Sequence, residues 1–376
     1  MRFPGFTDEW KKTTLGEITT NFNLRNKEQI DYPMFSVTNN RGFIPQSEQF
    51  EDREMKGEDI KAYKVIHHND FAYNPARINV GSIAKYNGYE PCMISSLYVC
   101  FKANNEVNED WLMHLLRTPK VQYYYQLNGE GGVRIYLFYP NFARIRTSIP
   151  SIEEQKKIAK ILSIIDERIA TQNKIIEDLK KLKSAIIDRL YSEVKGETCT
   201  YSELFTVVTE RNSKRTYNKV IAASQEYGMV ERESLNLKVQ FDEELINTYK
   251  IINSGDYVIH LRSFQGGFAF SKLQGICSPA YIILRPNDRV EFSYFEKYFT
   301  SSKFINSLRL VTYGIRDGRS INVEEWLSMK VTLPSKEEQK RIIRTIQSIQ
   351  DKVSNEIRIL TSLHSQRLFL LRELFI

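Results

Sequence analysis

The feature that most constrains this chain is a helical pattern written twice, 184 residues apart. The first copy opens Ile149-Pro150-Ser151-Ile152-Glu153-Glu154-Gln155-Lys156-Lys157-Ile158. The second opens Leu333-Pro334-Ser335-Lys336-Glu337-Glu338-Gln339-Lys340-Arg341-Ile342. From each start a stripe advances in alternating steps of four and three, the seam of a coiled coil. It passes Ile158, Leu162, Ile165, Ile169, Ile176, Leu179, Ile186 and Leu190 in the first copy. In the second it passes Ile342, Ile346, Ile349, Val353, Leu360, Leu363, Leu370 and Leu374. Polar residues interrupt both seams at the same two places, Gln172/Glu356 and Lys183/Arg367. Shared interruptions mark two copies of one unit, built to pack together.

Each copy announces its beginning. Ser151 and Ser335 stand as N-caps, and Glu154 and Glu338 three residues on are expected to complete a capping box. The preceding proline disfavours helix before it. Residues 151–192 and 335–376 contain neither glycine nor proline. Some 40 residues at ~1.5 Å each give rods of about 60 Å.

The repeat extends more weakly into the segments between. Thr14-Leu15-Gly16-Glu17-Ile18 matches Thr200-Tyr201-Ser202-Glu203-Leu204 at an offset of 186, and Arg25-Asn26 matches Arg211-Asn212. Short buried strands read at Val65-Ile66, from Ile94 to Phe101 and at Tyr281-Ile282-Ile283-Leu284, with helices at residues 111–116 and 294–299. The expected organisation is two homologous α+β domains, 1–148 and 197–332, with connecting helices at 149–196 and 333–376. A domain usually keeps its termini close, so the second helix should return antiparallel to the first. The expected product is a pseudo-twofold dumbbell.

A balance of 53 Lys+Arg against 46 Asp+Glu leaves +7, a surplus suited to a polyanion. Cys92, Cys100, Cys199 and Cys277 form no CxxC pair and no zinc spacing, and read as small buried hydrophobes. No apolar run reaches the roughly 18 residues of a membrane span and no signal-peptide pattern opens the chain. The expected location is the cytoplasm, with no membrane partner.

Enzyme motifs are missing: no P-loop, GxGxxG, HExxH or GxSxG appears. Asn74-Pro75-Ala76-Arg77 lacks the aromatic residue that would stack on a flipped base and reads as a turn after a strand. His67-His68 reads as polar loop, and no metal site is expected. Binding is better supplied. Arg25, Lys27 and Arg211, Lys214, Arg215 occupy equivalent loops and can neutralise phosphates. Asn74, Arg77, Asn79 and His260, Arg262, Gln265 mix arginine with amide or imidazole groups able to read base edges. Arg134 and the pair Arg316 and Arg319 follow glycines that let backbone N–H groups approach a phosphate.

At this point the duplicated (Ile/Leu)-Pro-Ser-x-Glu-Glu-Gln helix start, with Arg2-Phe3-Pro4-Gly5-Phe6, Trp10 and Leu15-Gly16-Glu17 near the beginning, resembles the specificity subunit of type I restriction–modification systems. The resemblance covers the whole length. It implies two target-recognition domains that each read one half of a bipartite asymmetric DNA site, with the helices setting the spacer. It also implies a subunit without catalytic activity and with no cofactor of its own. Two methyltransferase subunits and two restriction subunits would join it, bringing S-adenosylmethionine, ATP and Mg. A coiled-coil scaffold joining two protein-binding domains, and a specificity subunit of a fused restriction–methylation system, stay open as alternatives.

Overall fold

The computed structural model describes residues 2–49, 60–131, 135–224, 227–235, 243–260, 267–313 and 320–375. The chain divides into two units, one of Met1–Asn173 with Ile359–Ile376 and one of Lys174–Arg358. Each holds a globular part and a stretch of both long helices, Ile152–Ser192 and Lys336–Glu373.

At the centre of the first unit lies an antiparallel sheet in the order Thr19–Phe22, Val99–Ala103, Phe71–Tyr73, Ile83–Lys85. Successive side chains leave opposite faces of a strand. Phe71, Tyr73 and Phe101 therefore enter one buried cluster with Leu15, Trp111 and Phe142, while Ala72 and Cys100 enter another with Val37, Ile66 and Ile94. The second unit repeats the order with Phe205–Val208, Ile282–Pro286, Tyr257–Ile259 and Phe268–Phe270. There Tyr257, Ile259 and Leu284 pack with Tyr201, Phe295 and Trp326, and Val258 and Ile283 with Ile221, Ile252 and Cys277. Both units are α+β with one topology, as the weak repeat implied. All four cysteines are buried free thiols, and burial pushes those of Cys92, Cys100 and Cys277 up to about 12.

A two-stranded ribbon closes each globular part. Lys11–Thr14 pairs with Arg146–Ile149, and Glu197–Thr200 with Lys330–Leu333. In the second unit this seats the end of the first long helix beside the start of the second. Gly196 makes that approach possible, because a Cβ there would collide with the Leu333 carbonyl. The matched Thr-x-x-Glu segments that follow are capping boxes in both units, Thr14 with Glu17 and Thr200 with Glu203.

The starts of the long helices correct one expectation. Ser151 and Ser335 cap them, each Oγ accepting the backbone N–H three residues on at 3.4 Å. The reciprocal half of the box is not made, because the glutamates have stronger partners. Glu154 takes a two-pronged bond from Arg2 at 2.9 and 3.0 Å, and Glu338 one from Arg341. The glutamines carry the weight instead. Gln155 accepts the Asn108 N–H and donates to the Glu106 and Pro150 carbonyls. Gln339 accepts the Glu291 N–H and donates to the Arg289 and Pro334 carbonyls. Both are buried.

Along the seam Ile158, Leu162, Ile176, Ile342, Ile346, Val353 and Leu363 are buried, and Ile165, Ile169, Leu179, Ile186, Ile349, Leu360 and Leu370 are half-buried. In the first unit Ile158 and Leu162 share a cluster with Leu371 and Leu374, and Asp166 bonds Arg367. In the second, Ile187 and Tyr191 share one with Ile342 and Ile346, and Lys183 donates to Gln350 at 2.9 Å. In each unit rising numbers on one helix meet falling numbers on the other, so the pairing is antiparallel. The interruptions at Lys183 and Arg367 thus have partners that themselves correspond, Gln350 being Asp166 plus the 184-residue offset.

In the first unit that polar pair has buried company. His114 Nδ1 lies 4.0 Å from Asp166, and His114 is only 6% exposed. Desolvation above all lowers its pKa to about 4; Arg367 and Arg117 also oppose protonation, while Asp166 and Asp110 favour it. An unfolded histidine takes a proton below about 6.5, which the folded one refuses until about pH 4. Stability should therefore be full above pH 6.5 and fall on acidification to about 4, by about 3 kcal/mol in this unit. His114→Gln should flatten that segment of a pH–stability profile measured by denaturant unfolding; an unchanged slope would assign the acid sensitivity elsewhere.

Candidate nucleic-acid interface

Sheet register decides which loops can act together. In the first unit Phe22 and Ala72 both pair with Cys100, on either side of the central strand. The strands Thr19–Phe22 and Phe71–Tyr73 therefore run in the same sense, and the loops that follow them leave from one end of the sheet. The second unit does the same, since Val208 and Val258 both pair with Ile283. The loops carrying Arg25 and Lys27, and Asn74, Arg77 and Asn79, are thus neighbours by topology. So are those carrying Arg211, Lys214 and Arg215, and His260.

A buried asparagine holds the first loop of each unit. Asn26 donates to the Ile30 carbonyl at 2.8 Å and accepts its N–H at 3.0 Å; Asn212 treats Tyr217 alike, at 2.6 and 3.1 Å. With the asparagine turned inward, Arg25, Lys27, Arg211, Lys214 and Arg215 are all exposed. Gln29 and Arg215, equivalent at the 186 offset, both have left-handed backbone, with φ of 54° and 51°. Strain of this kind persists only where surrounding structure imposes it, and here it shapes both cationic loops alike.

In the second loop Asn74 is committed to the turn, its Oδ1 accepting the Ala76 N–H at 3.0 Å. That leaves Arg77 exposed at the tip and Asn79 half-buried. The Asn79 Oδ1 is buried with no hydrogen-bond partner among the described residues. His260 is half-buried and its N–H reaches the Gly267 carbonyl. The third loop joins the first unit's set through the Leu137 N–H, which donates to the Pro75 carbonyl at 3.0 Å. It presents an element that charge and amide content did not flag: Tyr136 and Phe138, both exposed and stacked at 6.2 Å. Their alternation about buried Leu137, directly after a glycine-rich turn, was the available signal. Arg134, Arg262, Gln265, Arg316 and Arg319 lie outside the described residues.

Two α+β units of one topology, each gathering basic loops at one sheet end and each joined to antiparallel helices, define a class of duplicated protein. The sequence pattern of the family described as Type I restriction modification DNA specificity domain matches twice, over residues 7–181 and 193–364, and the chain belongs to that family. Two relatives come from Methanocaldococcus jannaschii. The one bearing the name of the type I restriction enzyme MjaX specificity subunit is 23% identical and spans 92% of this chain and 91% of its own. The MjaVIII specificity subunit is 26% identical over 69% of this chain and 68% of its own. Among solved structures, a chain from work on assembly and conformational transition of a type I R-M system matches with a TM-score of 0.64, at 14% identity over 98% of both chains. The S subunit from M. genitalium matches at 0.55, with 14% identity over 100% of this chain and 97% of that one. The fold expected from the sequence is the fold of these proteins. Among the described residues, no helix is long and apolar enough to cross a membrane.

Proposed function

We propose that this chain is the DNA-reading subunit of a type I restriction–modification assembly, with each unit reading one half of a split, asymmetric target. The observation that carries this is the shared sheet end: the same topology gathers exposed cations in both units, on loops whose remaining residues differ. A common scaffold fixes the mode of docking and the unlike loops fix two unlike half-sites. Phosphate contacts place a reader on the duplex, and base-edge contacts give it sequence. Arg25, Lys27, Arg211, Lys214 and Arg215 take the first role. Arg77, Asn79 and His260, with Arg134, Arg262, Gln265, Arg316 and Arg319, take the second; Asn74 shapes the turn that presents them.

In this reading the chain itself catalyses nothing and binds no cofactor. Two methyltransferase subunits supply S-adenosylmethionine chemistry and two restriction subunits the ATP- and Mg-dependent steps. A helix pair that repeats its own pattern offers one docking surface twice, as two identical partners need.

Electrophoretic binding to specific and random duplexes across a salt series tests the reading. Affinity should fall steeply with salt while a sequence-specific component remains. Replacing Arg25 and Lys27 together by alanine should weaken binding to every duplex and reduce the log–log salt slope by about two. A slope unmoved by that double variant would remove the first loop from the interface. Methyl transfer by the isolated chain would overturn the non-catalytic reading.

A further inference from the structure

The first unit contains a cavity of about 410 Å³ that the DNA-reading loops do not use. One wall is aromatic: Phe35 and Phe43 pack edge-on against Tyr86, at 5.8 and 5.2 Å between ring centres. The other wall is polar, set by the cations Lys85 and Arg117 and by His114, with Asp110 and Asp166 beside them. The carboxylates are already committed, Asp110 to Lys85 at 2.6 Å and Asp166 to Arg367. Arg41 at the rim is likewise paired, with Glu48. Arg117 is the surplus charge. Its guanidinium makes no hydrogen bond or ion pair among the described residues, although burial and nearby Arg367 make its charged form costly. His114 adds a second unanswered group: its residue is 94% buried by area, and its Nδ1 has no hydrogen-bond partner among the described residues.

Native proteins rarely leave a buried ring nitrogen without a partner, and here it lies beside the unpaired guanidinium of half-buried Arg117. An oxyanion accepts from the guanidinium and from the N–H of a neutral imidazole alike, and the charge-assisted bond to the guanidinium is the strong one. A bare phosphate leaves most of the space empty, since the volume falls in the range of small-molecule sites. The facing rings supply a surface for a flat apolar body. We propose that this cavity binds a phosphomonoester carrying a planar ring, of the size of a nucleoside monophosphate, with its phosphate on Arg117 and His114 and its ring against Phe43 and Tyr86. The walls come from the 42–45 strand, the 109–116 helix with Arg117 after it, and the first long helix at Ser163 and Asp166. An occupant therefore ties the recognition sheet to the rod within the unit.

The test is isothermal titration calorimetry on the full chain with adenosine 5′-monophosphate, uridine 5′-monophosphate, inorganic phosphate and adenosine. Monophosphates should bind, with phosphate and adenosine each weaker by about tenfold or more. Arg117→Met should cost about tenfold in monophosphate affinity, the scale of one charge-assisted bond. Phe43→Ala, at a half-buried position and with folding checked by thermal melting, should weaken monophosphates while leaving inorganic phosphate unchanged. No heat with any probe, equal affinity for phosphate and monophosphates, or unaltered affinity in both variants would overturn the proposal. Duplex binding by the Arg117→Met chain should match the parent, which separates this site from the DNA-reading loops.

Discussion

Gln155→Leu is expected to destabilise the first unit by about 3–5 kcal/mol, the scale of two to three buried backbone groups left without partners. The substitution preserves volume but strands the Asn108 N–H and the Pro150 and Glu106 carbonyls, all of which Gln155 satisfies. The side chain is 1% exposed, so little water reaches those groups in its place. Gln339→Leu should act equally on the second unit through Glu291, Arg289 and Pro334. At 2–4 °C per kcal/mol for a unit of this size, melting should drop by about 10 °C. Hydrogen exchange locates the loss: amides around residues 106–112 should lose protection in the first variant and keep it in the second. Equal protection in both would show that the glutamine serves something other than this latch.

That latch marks how far the sequence could be read. The helix pair was legible because its signal is periodic and long, and a repeated interruption is as informative as a repeated leucine. The N-caps were legible because capping is local. Glu154 was misassigned because its partner, Arg2, lies 152 positions away, and no local rule registers such a bond. The same holds for Arg367, whose place in an apolar seam made sense only once Asp166 faced it. The segment from Ile94 to Phe101 read as one strand from its apolar content. It is two, Cys92–Ile94 and Val99–Ala103, because Ser95 turns the chain: its carbonyl accepts the Tyr98 N–H and its Oγ the Leu97 N–H. Composition singled out the basic loops, but that they share a sheet end follows from strand register, which short buried strands with apolar residues on both faces do not specify.

Exchanging residues 1–146 for another recognition domain should change one half of the DNA target and leave the other untouched. The globular parts support independence, since each unit has its own pair of buried clusters and its own closing ribbon. Specific binding commonly exceeds nonspecific by 10³–10⁷. If the units contribute comparably, losing one half-site costs about 10²–10³ in affinity for the original target, recovered on a target with the matching new half. The exchange succeeds only if the incoming domain meets the junction chemistry. It must offer backbone groups to Gln155, a cation to Glu154 and an apolar face to Ile158, Leu162, Leu371 and Leu374. A chimera that lacks these should misfold rather than change specificity, and far-ultraviolet dichroism with thermal melting separates the two outcomes. A well-folded chimera altered in both half-sites would show that the units do not read DNA separately, and modular recognition would have to be abandoned for this chain.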